Sequence, residues 1–182
     1  SGQALGNSSS GDGALGDLDG DGDLDAWVAN YGQANRVWIN QGGDQGGTPG
    51  TYADSGQALG NSQSHGVALG DLDGDGDLDA WVVNWSSQAN RVWINQGGVQ
   101  GGTPGTYADS GQNLVNIDSR GVALGDLDGD GDLDAWVANY NNQTNRVWIN
   151  QGGDQLGTPG TYADSNQALG NSSSLGVALG DL

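Results

Sequence analysis

Apolar and polar residues alternate along this chain in short runs, and no stretch has the spacing of a helix. In the second of several similar units the runs fall at 66–72 (Gly-Val-Ala-Leu-Gly-Asp-Leu), 78–84 (Leu-Asp-Ala-Trp-Val-Val-Asn), 90–95 (Asn-Arg-Val-Trp-Ile-Asn) and around 106–112 (Thr-Tyr-Ala-Asp-Ser-Gly-Gln). Their Val, Ile, Trp and Tyr content predicts four short strands. An acidic loop joins the first to the second, and a turn of Asn, Ser and Gln joins the second to the third. Gln96-Gly-Gly through Thr103-Pro-Gly joins the third to the fourth with Gly and Pro as punctuation. The expected fold class is therefore all-β, built from four-stranded antiparallel blades of a β-propeller-like array.

The unit repeats. Its acidic loops begin at Asp17, Asp71, Asp126 and Asp181, spacings of 54, 55 and 55 residues. Such a period signals a propeller, solenoid or array in which each unit buries its face against the next. The expected division is 1–15 as the end of a preceding repeat, 16–69, 70–124 and 125–179 as three complete repeats, and 180–182 as the start of a fourth. The chain opens in mid-pattern and stops two residues into a loop, so we expect a window on a longer protein.

The loops carry the chemistry. Asp-Leu-Asp-Gly-Asp-Gly-Asp-Leu-Asp recurs at 17–25, 71–79 and 126–134. Five carboxylates within nine residues repel one another in any compact metal-free form, and a divalent cation reverses that sign. Side chains at positions 1, 3 and 5 can turn inward, position 7 can offer its carbonyl, and position 9 can close the shell. The candidate ligands are Asp17, Asp19, Asp21, Asp23 and Asp25, then Asp71, Asp73, Asp75, Asp77 and Asp79, then Asp126, Asp128, Asp130, Asp132 and Asp134. Gly22 and its counterparts stand where a calcium loop needs φ > 0. The opening matches an EF-hand loop, but the chain has no Glu for position 12, and strands rather than helices flank the site. The expected cofactor is Ca²⁺, one ion per complete repeat.

Composition narrows the partners. All 23 acidic residues are Asp, against four Arg and no Lys, for a formal charge of −19. Three divalent ions would cancel six of those charges. No basic patch exists to displace phosphate counterions, so neither nucleic acid nor membrane insertion is expected. Cysteine is absent, which excludes disulfides and zinc–thiolate sites. Calcium loops of modest affinity fill where free Ca²⁺ is high, which points to an extracellular or cell-surface location.

With these residues in view, the chain resembles the FG-GAP/VCBS-type repeats of integrin-α-like β-propellers, which carry Asp-x-Asp-x-Asp-Gly-x-x-Asp loops. The likeness spans essentially the whole chain, and the loop followed by Asp-Ala-Trp-Val and Asn-Arg-Val-Trp-Ile-Asn is its specific part. The resemblance implies an extracellular, calcium-stabilised blade whose loop ties its first two strands. The Phe-Gly and Gly-Ala-Pro elements of the name are missing, which favours the bacterial-style VCBS branch. Closed propellers use about four to eight blades. Continuation of the chain, a ring of several copies, or an open filament-like stack would each supply what three and a third repeats lack.

Other recurrent residues read as structural. Trp27, Trp81 and Trp136 on the second strand, and Trp38, Trp93 and Trp148 on the third, are expected between blades, since a chain without Phe or Met must build its core from Trp and aliphatics. Arg36, Arg91 and Arg146 are expected to pair with a carboxylate or stack over Trp. His65 aligns with Gly11 or Asp12, Arg120 and Leu175, so it belongs to no repeated site. Tyr31, Trp85 and Tyr140 stand in the turn after strand two and are candidates for stacking on a glycan or a protein. Of four Asn-x-Ser/Thr triplets, Asn84 and Asn142 are the expected exposed ones, ahead of Asn7 and Asn171. With acid–base groups nearly reduced to Asp, no enzyme is expected. The expected role is a secreted calcium-binding repeat protein with a structural or adhesive function, its partners being neighbouring repeats or further copies of itself; the alternative is a module recognising a glycan or a cell-surface protein.

Overall fold

Where a run alternates, the pleat turns one set of side chains toward the neighbouring unit and leaves the other outside. A computed structural model describes residues 2–180 and shows three antiparallel sheets built this way. The first holds β1 (Ser10–Gly16), β2 (Asp25–Asn30), β3 (Arg36–Asn40) and β4 (Tyr52–Asp54) in that spatial order. The second holds β5 (Ser64–Gly70), β6 (Asp79–Asn84), β7 (Ala89–Asn95) and β8 (Tyr107–Asp109), with β9 (Leu114–Asn116) added on β7. The third holds β10 (Ser119–Gly125), β11 (Asp134–Asn139), β12 (Arg146–Asn150) and β13 (Tyr162–Asp164). Asp181, which opens the fourth repeat, lies outside the described residues. Among the described residues there is no α-helix, only 3-10 turns at Gly43–Gln45, Gly98–Gln100 and Gly153–Gln155, and no helix is long and apolar enough to cross a membrane.

The all-β expectation holds, with shifted strand ends. The first strand of the second unit starts at Ser64, because its hydroxyl donates to Asn84 Oδ1 at 2.8 Å and extends the pairing. The fourth is only Tyr107–Asp109, since Asp109 Oδ1 accepts the Gly111 N–H at 2.8 Å and turns the chain away. Each first strand carries a bulge, with the extra residue at Gly11, His65 and Arg120, which settles the alignment of His65.

The first strands lie side by side, β5 between β1 and β10, so the sheets are blades around a shared inner edge. From each outer strand the chain runs back across its own blade before entering the next. Leu59 bridges to Asn35, Leu169 to Asn145, and β9 makes the equivalent pairing to β7.

The core sits between blades. Leu18, Trp27 and Val37 of the first meet Val67, Val82, Trp93 and Tyr107 of the second. One step on, Leu72, Trp81 and Val92 meet Val137, Trp148 and Tyr162. Trp27 and Trp81 are fully buried, each edge-on to the tyrosine of the following blade, with ring centroids at 6.3 Å for Trp27–Tyr107 and 4.3 Å for Trp81–Tyr162. Trp38 and Trp136, on the outer faces of the end blades, stay half-exposed.

Candidate metal centres

Each acidic loop caps the hairpin between the first two strands of its blade. Gly22, Gly76 and Gly131 take φ of +90°, +97° and +97°, a backbone open to Gly at little cost. Asp17 then folds back over its own loop: Oδ1 accepts the Gly20 N–H at 2.9 Å and Oδ2 the Gly22 N–H at 3.0 Å. Asp25 is a clamp between strands. Its Oδ2 accepts the Leu18 N–H at 3.0 Å and its Oδ1 the Asn40 N–H at 2.7 Å, which ties the loop to the end of β3. Asp79 and Asp134 repeat the clamp on Leu72 and Asn95, and on Leu127 and Asn150.

In every loop the same three carboxylates converge: Asp17, Asp19 and Asp25; Asp71, Asp73 and Asp79; Asp126, Asp128 and Asp134. In each trio an oxygen from every member lies within 4.8 Å of the others. Asp21 and Asp130 instead use their carboxylates locally, accepting the Asp23 and Asp44 N–H groups and the Asp132 and Asp154 N–H groups. Asp75 accepts the Asp77 N–H, and its other oxygen lies against Gly98. The Oδ2 atoms of Asp23, Asp77 and Asp132 are buried without partners where Gly42, Gly97 and Gly152 leave room, so that an added Cβ would sit at 2.0 to 2.1 Å from them.

This charge is costly when bare. Burial, then the neighbouring Asp25 and Asp21, raise the Asp19 carboxyl to about 6. Burial raises Asp79 to about 7 against the two N–H bonds that favour its charged form, because blades flank it on both sides. Asp25, Asp73, Asp77, Asp132 and Asp134 are pushed up by burial as well. Buried carboxylate oxygens without a partner, at Asp73 Oδ1 and Asp75 Oδ2 among others, sit in an all-oxygen donor set that fits a hard cation. The three clusters could hold a metal ion.

Two kinds of residue here carry no obvious motif. Gln45, Gln100 and Gln155, each in a 3-10 turn, donate through Nε2 to Asp19, Asp73 and Asp128. Their recurrence at one place in each repeat was the available signal. The loop leucines are interblade plugs: Leu18 and Leu72 are buried, and Leu78 and Leu133 fill the space beside Gly16 and Gly70. Neighbouring blades also cover the loops. Asn95 Nδ2 donates to the Leu18 carbonyl at 2.9 Å and Asn150 Nδ2 to that of Leu72 at 2.8 Å, while Gly105 and Gly160 pack against Asp19 and Asp73. The third loop has no such cover among the described residues, and Asp126 and Asp128 are exposed.

Tyr31, Trp85 and Tyr140 lie at the opposite end of the inner strands, half-buried rather than freely exposed. His65 stands edge-on to Tyr31 and Trp85, and the Arg120 guanidinium lies 4.5 Å from the Trp85 ring centre and 4.9 Å from that of Tyr140. Burial, then Arg120, lower the His65 pKa, and its Nε2 lies 2.8 Å from Arg120 Nη1. Arg36, Arg91 and Arg146 pair with Asp54, Asp109 and Asp164 on the next strand. Asn84 is not an exposed sequon: it is 1% exposed, with its amide bonded to the Ala89 carbonyl and Ser64 Oγ. Asn142 is exposed.

Compared with known families, residues 17–82 match the FG-GAP-like repeat, a span from the first acidic loop to the middle of β6. No curated protein matches the chain at a significant level.

Proposed function

We propose that the acidic loops of this repeat protein each bind one Ca²⁺, and that the ions fix the loops so that successive blades can pack, in an extracellular protein with a structural or adhesive role. The observation that carries this reading is the convergence of carboxylates 1, 3 and 9 in all three loops, beside buried carboxylate oxygens that lack any partner. The ion supplies the positive charge that the trio lacks. Asp17, Asp19 and Asp25, with their counterparts, are the residues that would hold it, and the backbone N–H groups they already engage keep the loop shaped to receive it.

Packing links the site to the array. Leu18 and Leu72 leave their acidic loops to enter the interblade cores, so a loop that collapses would withdraw a core residue. At free Ca²⁺ about tenfold above the dissociation constant, each independent site adds about 1.4 kcal/mol, and three add about 4. That is a large share of the about 5–15 kcal/mol that keeps a domain folded. The test is thermal unfolding of the chain in EGTA and with Ca²⁺ titrated back, with light scattering to record mass. A rise in Tm that saturates near three ions per chain supports the reading, and a mass increase alongside it supports assembly with further copies. An unchanged Tm would remove calcium from the account.

Recognition of a glycan or protein by the Tyr31, Trp85 and Tyr140 row is the second reading, favoured by its clustering with Arg120 at one end of the inner strands. It expects ligand binding lost on alanine substitution of the three while the calcium-dependent Tm is kept.

A further inference from the structure

The ninth aspartates of the three loops are joined by one relay of hydrogen bonds that crosses both blade boundaries. Leu18 donates its N–H to Asp25 Oδ2 at 3.0 Å, and its carbonyl accepts from Asn95 Nδ2 of the next blade at 2.9 Å. Asn95 in turn donates its N–H to Asp79 Oδ1 at 2.8 Å. The pattern then repeats: Asp79 Oδ2 accepts the Leu72 N–H at 2.9 Å, the Leu72 carbonyl accepts from Asn150 Nδ2 at 2.8 Å, and the Asn150 N–H reaches Asp134 Oδ1 at 2.8 Å. Each residue of this relay is at most 1% exposed, so water does not stand in for a broken link.

The first blade supplies an internal control. Asn40 holds the place of Asn95 and Asn150, and its N–H goes to Asp25 Oδ1 in the same way. Among the described residues, its Nδ2 donates only to the Leu24 carbonyl of its own blade, at 3.3 Å. Asn95 and Asn150 keep that longer bond, to Leu78 and Leu133 at 3.3 and 3.4 Å, and add the crossing to the preceding loop. Their Oδ1 atoms also accept the Gly105 and Gly160 N–H groups at 3.0 Å, which fixes the turns that pack on Asp19 and Asp73. Each of the two asparagines thus holds the ninth aspartate of its own loop and two parts of the loop before it.

We propose that Asn95 and Asn150 are positioning residues that couple successive metal loops, so that filling one loop raises the Ca²⁺ affinity of its neighbour. The inference rests on the calcium reading above. A loop of five bare carboxylates is pushed apart by its own charge, and holding it in one shape costs free energy. Occupation of the second loop fixes Asp79, and through Asn95 it fixes the Leu18 carbonyl and the Gly105 turn, so the first loop has less left to order when it fills. By linkage the coupling is reciprocal. Charge acts the other way, since a filled neighbour is less negative and attracts a second cation less. That attraction passes partly through solvent and is screened beyond about 8 Å at roughly 0.15 M salt, whereas the relay is buried. Contacts therefore prevail at moderate salt, and the coupling falls off beyond the nearest neighbour, as in other arrays.

The test is a Ca²⁺ titration at roughly 0.15 M salt, below the Tm in EGTA, that follows the amide signals of Gly22, Gly76 and Gly131, one per loop, by two-dimensional ¹H–¹⁵N NMR. Asp73→Ala, which disables the second loop, should lower the affinity of both the first and the third by about fivefold or more. Asp128→Ala should do so to the second loop and less to the first. Asn95→Ala should remove the coupling between the first two loops and leave that between the second and third, and Asn150→Ala the reverse. Asn40→Ala loses the same bonds within its blade but no crossing, so it should leave both couplings. Site affinities that ignore a disabled neighbour, or a filled neighbour that weakens the next, would each overturn the proposal. So would Asn40→Ala and Asn95→Ala acting alike, which would assign the coupling to global stability. The two aspartate variants decide the matter alone should an asparagine variant fail to fold. If no glycine responds to Ca²⁺ the metal reading itself fails, whereas independent binding at the three loops removes only the coupling.

Discussion

At the scale of single residues, the acidic loops owe their behaviour to carboxylates held at the wrong charge for their surroundings. A raised folded pKa contributes stability that is present below the ordinary 3.8 and lost as pH climbs through about 6 for Asp19 and about 7 for Asp79. Without metal, the carboxylates should therefore raise the Tm as pH falls from 8 toward 5. His65, held below its ordinary 6.5, works in the opposite direction, so the comparison is cleanest in His65→Gln. Saturating Ca²⁺ should invert the carboxylate trend, because protons then compete with the ion. Melting curves at several pH values with and without Ca²⁺ check both signs, and one slope shared by the two series would refute the account. A second residue-scale test separates charge from clamping. Asp79→Ala should cost about 1–3 kcal/mol even without calcium, since it orphans the buried Leu72 and Asn95 N–H groups, whereas Asp73→Ala should cost stability mainly when calcium is present. Chemical denaturation in EGTA and in Ca²⁺ distinguishes them.

At the scale of elements, the loops are not independent turns. The strap that leaves each outer strand carries a glutamine whose amide imitates a strand pairing. Gln57 donates to the Gly105 carbonyl at 2.7 Å and accepts the Tyr107 N–H at 2.8 Å, and Gln112 does the same for Gly160 and Tyr162. The following blade also lays its Thr-Pro-Gly turn over the acidic loop before it, a cover that the third loop lacks among the described residues. Calcium should accordingly dissociate first from the loop at 126–134. Asp128→Ala should lower the Tm in calcium by less than Asp73→Ala does, as side-by-side melting of the two variants would show. The four strands per repeat were legible from alternation and turn residues. The strap was not: β9 and the Leu59 and Leu169 bridges form between segments whose own pattern is weak, through backbone groups that only the neighbouring strand completes.

At the scale of the whole molecule, stability resides in contacts between blades, as in other arrays whose units cannot bury a face alone. Trp81→Ala empties the second interblade core and should cost about 3–5 kcal/mol, with loss of near-ultraviolet circular dichroism that calcium does not restore. The half-exposed Trp38 and Trp136 leave one apolar face at each end of the described array. If those faces recruit further copies, Trp136→Lys should reduce the mass recorded by light scattering at high concentration while the calcium-dependent Tm persists.

By itself, the sequence determined the periodic unit, the strands, the acidic loops and, for Trp27, Trp81, Trp93 and Trp148, the tryptophans as interblade core, because each of these is written in local spacing and in residue types that have few other uses. Tertiary structure decided the rest. The motif offers five aspartates per loop as ligands, yet the first, third and ninth are the side chains that converge, since the second strand pulls the ninth under the loop while the 3-10 turn faces the fifth and seventh. Leu18 and Leu78 look like fillers between carboxylates until the adjacent blade shows what they plug. Gly60 and Val115 hold the same place in successive repeats, and only the structure shows that Gly60 lies close against Trp93 and Val115 against the cluster of Trp148, each in the following blade. Contacts between units obey distances that no spacing along one unit encodes.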